Sequence, residues 1–269
     1  MKFAFSTLGC PDWPIEKVAE TARSLKYDGV EIRGIKRVLD LSKAPEFAAD
    51  RIAATKKLFA DTGVKVVSID ASASFCWPEP TKREEAVAEA LRHIDIAQKM
   101  GAPFVRVFGG NVPEGDTVEK WAPTVAGDLK TLGAAAAKKG VTIILETHDS
   151  WRRSTEIMPV LKMVGMDSVR LLWDLAHPWT AGETMQESAE GFKGYVVHAH
   201  IKDHTADHKE ALLGKGIIPL DEAFRALKRM KYAGYVSLEW EKMWHPEIED
   251  PEIAFPQAIE YMRHLDAET

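Results

Sequence analysis

Residues 118–146 read VEKWAPTVAGDLKTLGAAAAKKGVTIILE. The first part has helical character up to AAAAKKG (134–140). Lys138 and Lys139 sit in its last turn, where cations meet the negative end of a helix dipole, and Gly140 is the stop. The next six residues, VTIILE (141–146), are dense in β-branched side chains and apolar at consecutive positions. A parallel strand covered on both faces reads this way.

The alternation continues in both directions along the chain. Further strand candidates are 2–7 (KFAFST), 29–32 (GVEI), 64–70 (VKVVSID), 103–108 (PFVRVF), 169–174 (VRLLWD), 195–201 (YVVHAHI) and 235–239 (YVSLE). Between them, residues 14–27 open on Pro14, a favourable first helical residue. Residues 81–100 place Ala86, Ala90, Ile94 and Ala97 at spacings of three and four, with Thr81 as N-cap and Glu84 completing a capping box. Asp221 to Met230 and Pro251 to Leu265 supply the last two helices, and another is placed near 183–193. Eight strand–helix units fit one (β/α)₈ TIM barrel over 1–269, a fold of typically about 250 residues. A doubly wound sheet is the rival. It requires a Gly-rich phosphate turn after the first strand, and residues 6–12 (STLGCPD) lack one. No linker or charge block marks a second domain.

Composition narrows the function classes. Lys+Arg number 35 and Asp+Glu 41, a net charge of −6, which argues against a dedicated nucleic-acid binder. Hydrophobic content of 45% and charged content of 28% are those of a soluble globular chain. Cys10 and Cys76 make neither a disulfide framework nor a CxxC site. No apolar run approaches about 18 residues, so no transmembrane helix is expected. MKFAFSTLGC is too short an apolar stretch for a signal peptide. The expectation is a cytoplasmic protein without nucleic-acid or membrane partners.

Active sites of such barrels lie at the C-terminal ends of the strands. The fifth strand ends in Glu146, followed by His148 and Asp149. The sixth ends in Asp174, followed by His177. The seventh carries His198 and His200, then Lys202 and Asp203, and the eighth ends in Glu239, followed by Glu241. Four consecutive strands thus point a carboxylate or an imidazole at one rim. Unpaired burial of such charges is too costly, and a divalent cation neutralises them directly. Three carboxylates and one imidazole suit Mn²⁺, Mg²⁺ or Co²⁺ and tolerate Zn²⁺. The plainer alternative is a salt-bridge network with Arg106, Arg152, Arg153 and Lys202. His198 and His200 share one side of their strand. His200, nearer the end, is the better ligand, and His198 reads as a hydrogen-bonded core histidine. Trp13, Trp77, Trp151, Trp179, Trp240 and Trp244 all fall at or just past strand ends, and read as a pocket wall that stacks on sugar faces.

These segments resemble the xylose-isomerase-like TIM barrels, in particular the sugar phosphate isomerase/epimerase group. The resemblance runs through YDGVEIR (27–33), GAPFVRVFGG (101–110), ILETH (144–148), LLWDLAH (171–177), VHAHIKD (197–203), GKG (214–216) and YVSLEWE (235–241). It implies one divalent ion, Mn²⁺ first, held by Glu146, Asp174, His200 and Glu239. It also implies an acid/base pair, Glu146 and Glu239, and a substrate contact at His177. Glu31 fits a recurrent family position. The implied chemistry is proton removal next to the carbonyl of a keto-sugar or related polyol, through an enediolate, with Lys202 and Arg106 suited to hold a carbonyl, carboxylate or phosphate. A homodimer or homotetramer is the implied assembly.

The chain departs from the family pattern at two points. Ketose 3-epimerases of this superfamily carry another glutamate six residues after the first ligand, where this chain has Arg152, which argues against that specific activity. Hydroxypyruvate isomerases would carry Gln at His200. Three other readings stand beside the isomerase. One is a lyase or dehydratase similar to inosose dehydratase, using the same metal enolate. Another is an abasic-site endonuclease, whose extra histidines are missing from SIDASASF (68–75) and VFGGN (107–111). The third is a non-catalytic barrel, which would be expected to have lost ligands.

Overall fold

The computed structural model describes residues 1–269. Eight parallel strands close into a barrel: β1 (Lys2–Ser6), β2 (Gly29–Ile32), β3 (Lys65–Asp70), β4 (Phe104–Val107), β5 (Thr142–Glu146), β6 (Val169–Asp174), β7 (Val196–Ile201) and β8 (Tyr235–Leu238). Each pairs with its sequence neighbours, and β8 returns to β1 with Lys2 opposite Tyr235 and Phe5 opposite Leu238. The outer layer comprises α1 (Ile15–Ser24), α2 (Ile52–Thr62), α3 (Pro80–Met100), α4 (Val118–Ala137), α5 (Ser154–Val164), α6 (Ala176–Thr180), α7 (Met185–Gly191), α8 (Leu220–Arg229) and α9 (Pro251–Glu268). A two-residue antiparallel ribbon, 203–204 against 210–211, follows β7. No helix is long and apolar enough to cross a membrane.

The eight strands fall within two residues of the expected spans, because their apolar runs are covered on both faces. In β5, Ile143, Ile144 and Leu145 are all buried, and each such side chain removed from water contributes about 1.5–3 kcal/mol. Helix starts differ more. Pro14 is the N-cap, with extended backbone, and α1 begins at Ile15. Pro80, its φ preset by the ring, takes the first turn of α3 with Glu79 as N-cap, so Thr81 lies inside the helix. The stop after α4 is as expected: Gly140 adopts a left-handed φ of 66°. The helix expected near 183–193 is α7, capped by Thr184 and Glu187. Neither α2 nor α5 was marked by the sequence pattern: α2 buries only Ile52, Thr55 and Phe59, and α5 carries Pro159 inside it.

Candidate metal and acid/base centre

The strand ends deliver the four expected side chains to one point. Glu146 and Asp174 are the last residues of β5 and β6, His200 is the penultimate residue of β7, and Glu239 follows β8 directly. Asp174 and His200 are register partners, as are His200 and Ser237. All four side chains are buried, and their ligating atoms lie within 4.8 Å of one another. His200 Nδ1 is 3.1 Å from Glu146 Oε1 and 3.4 Å from Glu239 Oε1. The Lys202 ammonium lies 2.7 Å from Glu239 Oε2, 3.0 Å from Asp174 Oδ2 and 3.1 Å from Glu241 Oε1.

Local backbone geometry aims these groups. Asp174 Oδ1 accepts the amide N–H groups of Ala176 (2.8 Å) and His177 (3.0 Å) at the start of α6. That fixes the carboxylate, with Oδ2 toward the Lys202 ammonium. Asp174 Oδ2 and Glu146 Oε2 are buried and meet only cationic side chains, Lys202 at 3.0 Å and Arg106 Nε at 3.4 Å. These two carboxylate oxygens, with an imidazole nitrogen and a third carboxylate, are a hard donor set that fits a divalent cation.

A second layer fixes the imidazole. Glu31, fully buried on β2, accepts from His200 Nε2 at 2.8 Å through Oε2 and pairs with His198 Nε2 through Oε1. His200 is thereby held with Nδ1 toward Glu146 and Glu239. His198 is the buried, hydrogen-bonded histidine that its position suggested. Next to these lie Arg106 on β4, with Nε 3.4 Å from Glu146 Oε2 and Nη2 3.7 Å from Asp70 Oδ2, and Arg33, which donates to Ser72 Oγ at 2.9 Å. His177 Nε2 lies 3.7 Å from Asp174 Oδ2 and has no hydrogen-bond partner.

The electrostatics follow from this crowding. Burial opposes the charge on His200, but Glu31, Glu239 and Glu146 outweigh it and hold its pKa well above the ordinary imidazole value. Burial likewise opposes ionisation of Glu239, yet Lys202 and His200 hold it well below the usual carboxylate range. Burial, with Lys202 and His148 nearby, keeps His177 neutral. Asp70 goes the other way: burial and the Glu31 charge push it up to about 7. A carboxyl with a raised folded pKa binds its proton more tightly in the folded state. Stability is therefore lost as pH rises from the ordinary value of 3.8 through about 7. Asp70→Asn should accordingly be more stable than the wild type at pH 8 and lose that advantage toward pH 4. Urea unfolding at the two pH values checks this, and an equal difference at both would contradict it.

The remaining expected residues separate. Arg152 and Arg153 are exposed, and Arg153 pairs with Glu156, so only Arg106 and Lys202 supply cations to the cluster. The tryptophans do not form one wall. Trp151 and Trp240 are core side chains. Trp151 packs where Gly109 leaves room, since a Cβ there would meet the indole at 2.2 Å. Trp13 is buried edge-on against Phe255, with the Lys17 ammonium 4.0 Å from its ring centroid. Trp179 is half-buried against the core. Trp77 and Trp244 are 39% and 48% exposed, and the Lys82 ammonium lies 4.8 Å from the Trp77 ring centroid. The error was to equate a place after a strand with a direction: the loops fold several indoles back into the helix layer. Conversely, Asp70 and Arg33 were passed over, although Asp70 is the last residue of β3 and Arg33 follows β2.

Comparison with known proteins agrees with the barrel fold. A family model described as xylose isomerase-like TIM barrel matches residues 19–265. Fructoselysine 3-epimerase of Shigella flexneri is 23% identical over 276 aligned positions, covering 98% of each chain. L-ribulose-5-phosphate 3-epimerase of Escherichia coli (strain ATCC 8739) is 22% identical over 251 positions, covering 91% of this chain and 87% of that one. Among solved structures, the IOLI protein crystallised with a zinc atom superposes with a TM-score of 0.85 at 20% identity, covering 100% of this chain and 99% of that one. With the family model spanning nearly its whole length, the chain belongs to the xylose isomerase-like TIM barrel family.

Proposed function

We propose that this chain is a divalent-metal-dependent sugar isomerase or epimerase acting on a keto-sugar or related polyol. The observation that carries the reading is the convergence of the buried Glu146, Asp174, His200 and Glu239 side chains, whose ligating atoms lie within 4.8 Å of one another. The sugar epimerases among its relatives support it. We assign those four side chains as the holders of the ion, Mn²⁺ by preference, with Mg²⁺, Co²⁺ and Zn²⁺ compatible with the donor set. When bound, such an ion polarises a carbonyl and its neighbouring hydroxyl and stabilises the negative charge that follows proton loss. We take the working assembly to be a homodimer or homotetramer.

The protein groups do the proton handling. Glu146, with burial opposed by His200 and Arg106, is held below its ordinary pKa and is ionised at neutral pH, the state a base needs. It is assigned to remove the proton next to the substrate carbonyl. Return of a proton to the other face is assigned to Glu239, which is itself held ionised and so must first take that proton from solvent or from the Lys202 ammonium that donates to its Oε2. His177, neutral with a free Nε2, is placed as a hydrogen-bonding partner for a substrate oxygen, and Arg106 and Lys202 as its electrostatic partners. Trp77 and Trp179 are the indoles assigned to the substrate side.

The test is incubation with keto-sugars, keto-inositols and keto-glycosides in D₂O. Deuterium gained at the carbon next to the carbonyl, lost with chelator and restored by Mn²⁺, supports the reading. Loss of water from the substrate instead would replace it with a dehydratase. Metal-dependent cleavage of abasic DNA without any exchange would replace it with a nuclease.

Glu31 supplies a separate expectation. Partners that orient a metal-binding imidazole commonly control affinity by about 10–100-fold. Glu31→Gln has one carbonyl oxygen to share between two histidines and should weaken Mn²⁺ binding by about that factor. Calorimetric titration reads this directly, and an unchanged dissociation constant would refute the orienting role.

A further inference from the structure

We propose that Arg33, Asp70 and Arg106 form a second half of the substrate site, which binds adjacent hydroxyl groups of an uncharged polyol chain. The inference rests on the reading of Glu146, Asp174, His200 and Glu239 as the reacting centre and deepens it by naming the substrate class.

The three side chains come from or directly follow β2, β3 and β4, the arc next to the β5–β8 cluster and at the same end of the barrel. Asp70 and Arg106 are essentially inaccessible, and Arg33 is 6% exposed. Despite that burial, Arg33 Nη1 and Arg106 Nη1 have no hydrogen-bond partner, and Asp70 Oδ2 and Arg106 Nε have only long ion-pair contacts, at 3.7 and 3.4 Å. Buried polar groups are nearly always satisfied, and exceptions call for an explanation. A ligand that completes them is such an explanation, because the two halves are contiguous: Arg106 bridges from Asp70 to Glu146. On its outer side Arg33 Nη2 donates to the exposed Ser72, and Ser72 lines a groove of about 710 Å³ that Trp77 also lines.

The donor and acceptor pattern identifies the ligand class. Guanidinium nitrogens need acceptors and the Asp70 carboxylate needs a donor, so neighbouring hydroxyls, which do both, match where a purely accepting group does not. Charge excludes the phosphorylated alternative. The two guanidiniums face Glu146 and Asp70, so the surplus is at most one positive charge, too little to balance a phosphate dianion. Asp70 would also face that anion directly.

The test is calorimetric titration of Mn²⁺-loaded protein with xylitol and with xylitol 5-phosphate, in the wild type, Arg33→Lys and Asp70→Asn. A hydrogen bond to a charged group is worth about tenfold or more in affinity. Xylitol should therefore bind each variant at least about tenfold more weakly, with Mn²⁺ uptake unchanged, and the phosphate ester should bind the wild type no tighter than xylitol. Equal xylitol affinity in wild type and variants overturns the subsite while leaving the metal reading intact. Tighter binding of the ester overturns the uncharged class. A wild type that takes up no Mn²⁺ overturns the metal reading, and the subsite with it.

Discussion

Glu239→Gln is expected to reduce proton exchange by about 10²–10⁴-fold, the usual loss for one acid/base group. The substitution keeps the shape and removes the charge from a side chain that lies 3.4 Å from His200 Nδ1 and 2.7 Å from Lys202 Nζ. Two functions fail together. The carboxylate no longer carries a proton, and the donor set loses one of its three negative charges. Single-turnover exchange in D₂O measures the first, and metal content of the same sample measures the second. His177→Ala is the control, since it should slow exchange while leaving metal bound. Exchange by Glu239→Gln within threefold of the wild type would remove Glu239 from the chemistry.

Lys202→Met should destabilise the chelator-treated protein by about 3–5 kcal/mol at pH 7, the range for breaking a buried ion pair from one side. Lys202 is buried among Asp174, Glu239 and Glu241, and without it those carboxylates crowd together uncompensated. The deficit depends on pH with a definite sign. Glu239 has a folded pKa well below its ordinary 4.5, so its stabilisation by Lys202 is complete above about that value. It is lost as pH falls through the lowered folded value, and the variant and the wild type should converge in acid. Added Mn²⁺ should recover part of the loss, because an ion that binds only the folded state adds stability by mass action. Urea unfolding with and without metal checks both points. A deficit below about 1 kcal/mol, typical of exposed pairs, would contradict this account of Lys202.

The legibility of this chain in its sequence differs between strands, helices and site. The strands were readable because double-sided burial demands continuous apolar runs, as in VTIILE and VRLLWD. The ends of those runs then pointed to Glu146, Asp174, His200 and Glu239, since a charge at the end of a buried strand has few places to go but the barrel mouth. Helix starts were less readable, because Pro14 and Pro80 suit both the cap and the first turn and only backbone geometry decides between them. The tryptophans misled for a related reason: Trp151 and Trp240 lie just past strand ends, but their loops turn inward and bury them. Asp70 ends β3 with no histidine in the residues that follow, SIDASASF (68–75), so the sequence does not set it apart as the β5–β8 ends are set apart. Arg106, read as a substrate contact, lies 3.4 Å from Glu146.

The central claim is that four strand-end side chains hold one divalent cation where Glu146 and Glu239 move a proton. Its most direct test is equilibrium titration of chelator-treated protein with Mn²⁺, followed by deuterium exchange at each point. The account predicts uptake of one equivalent by the wild type, exchange that rises in step with occupancy, and loss of both in Asp174→Ala. A wild type that binds no ion, or one whose exchange is complete before any Mn²⁺ is added, would contradict it.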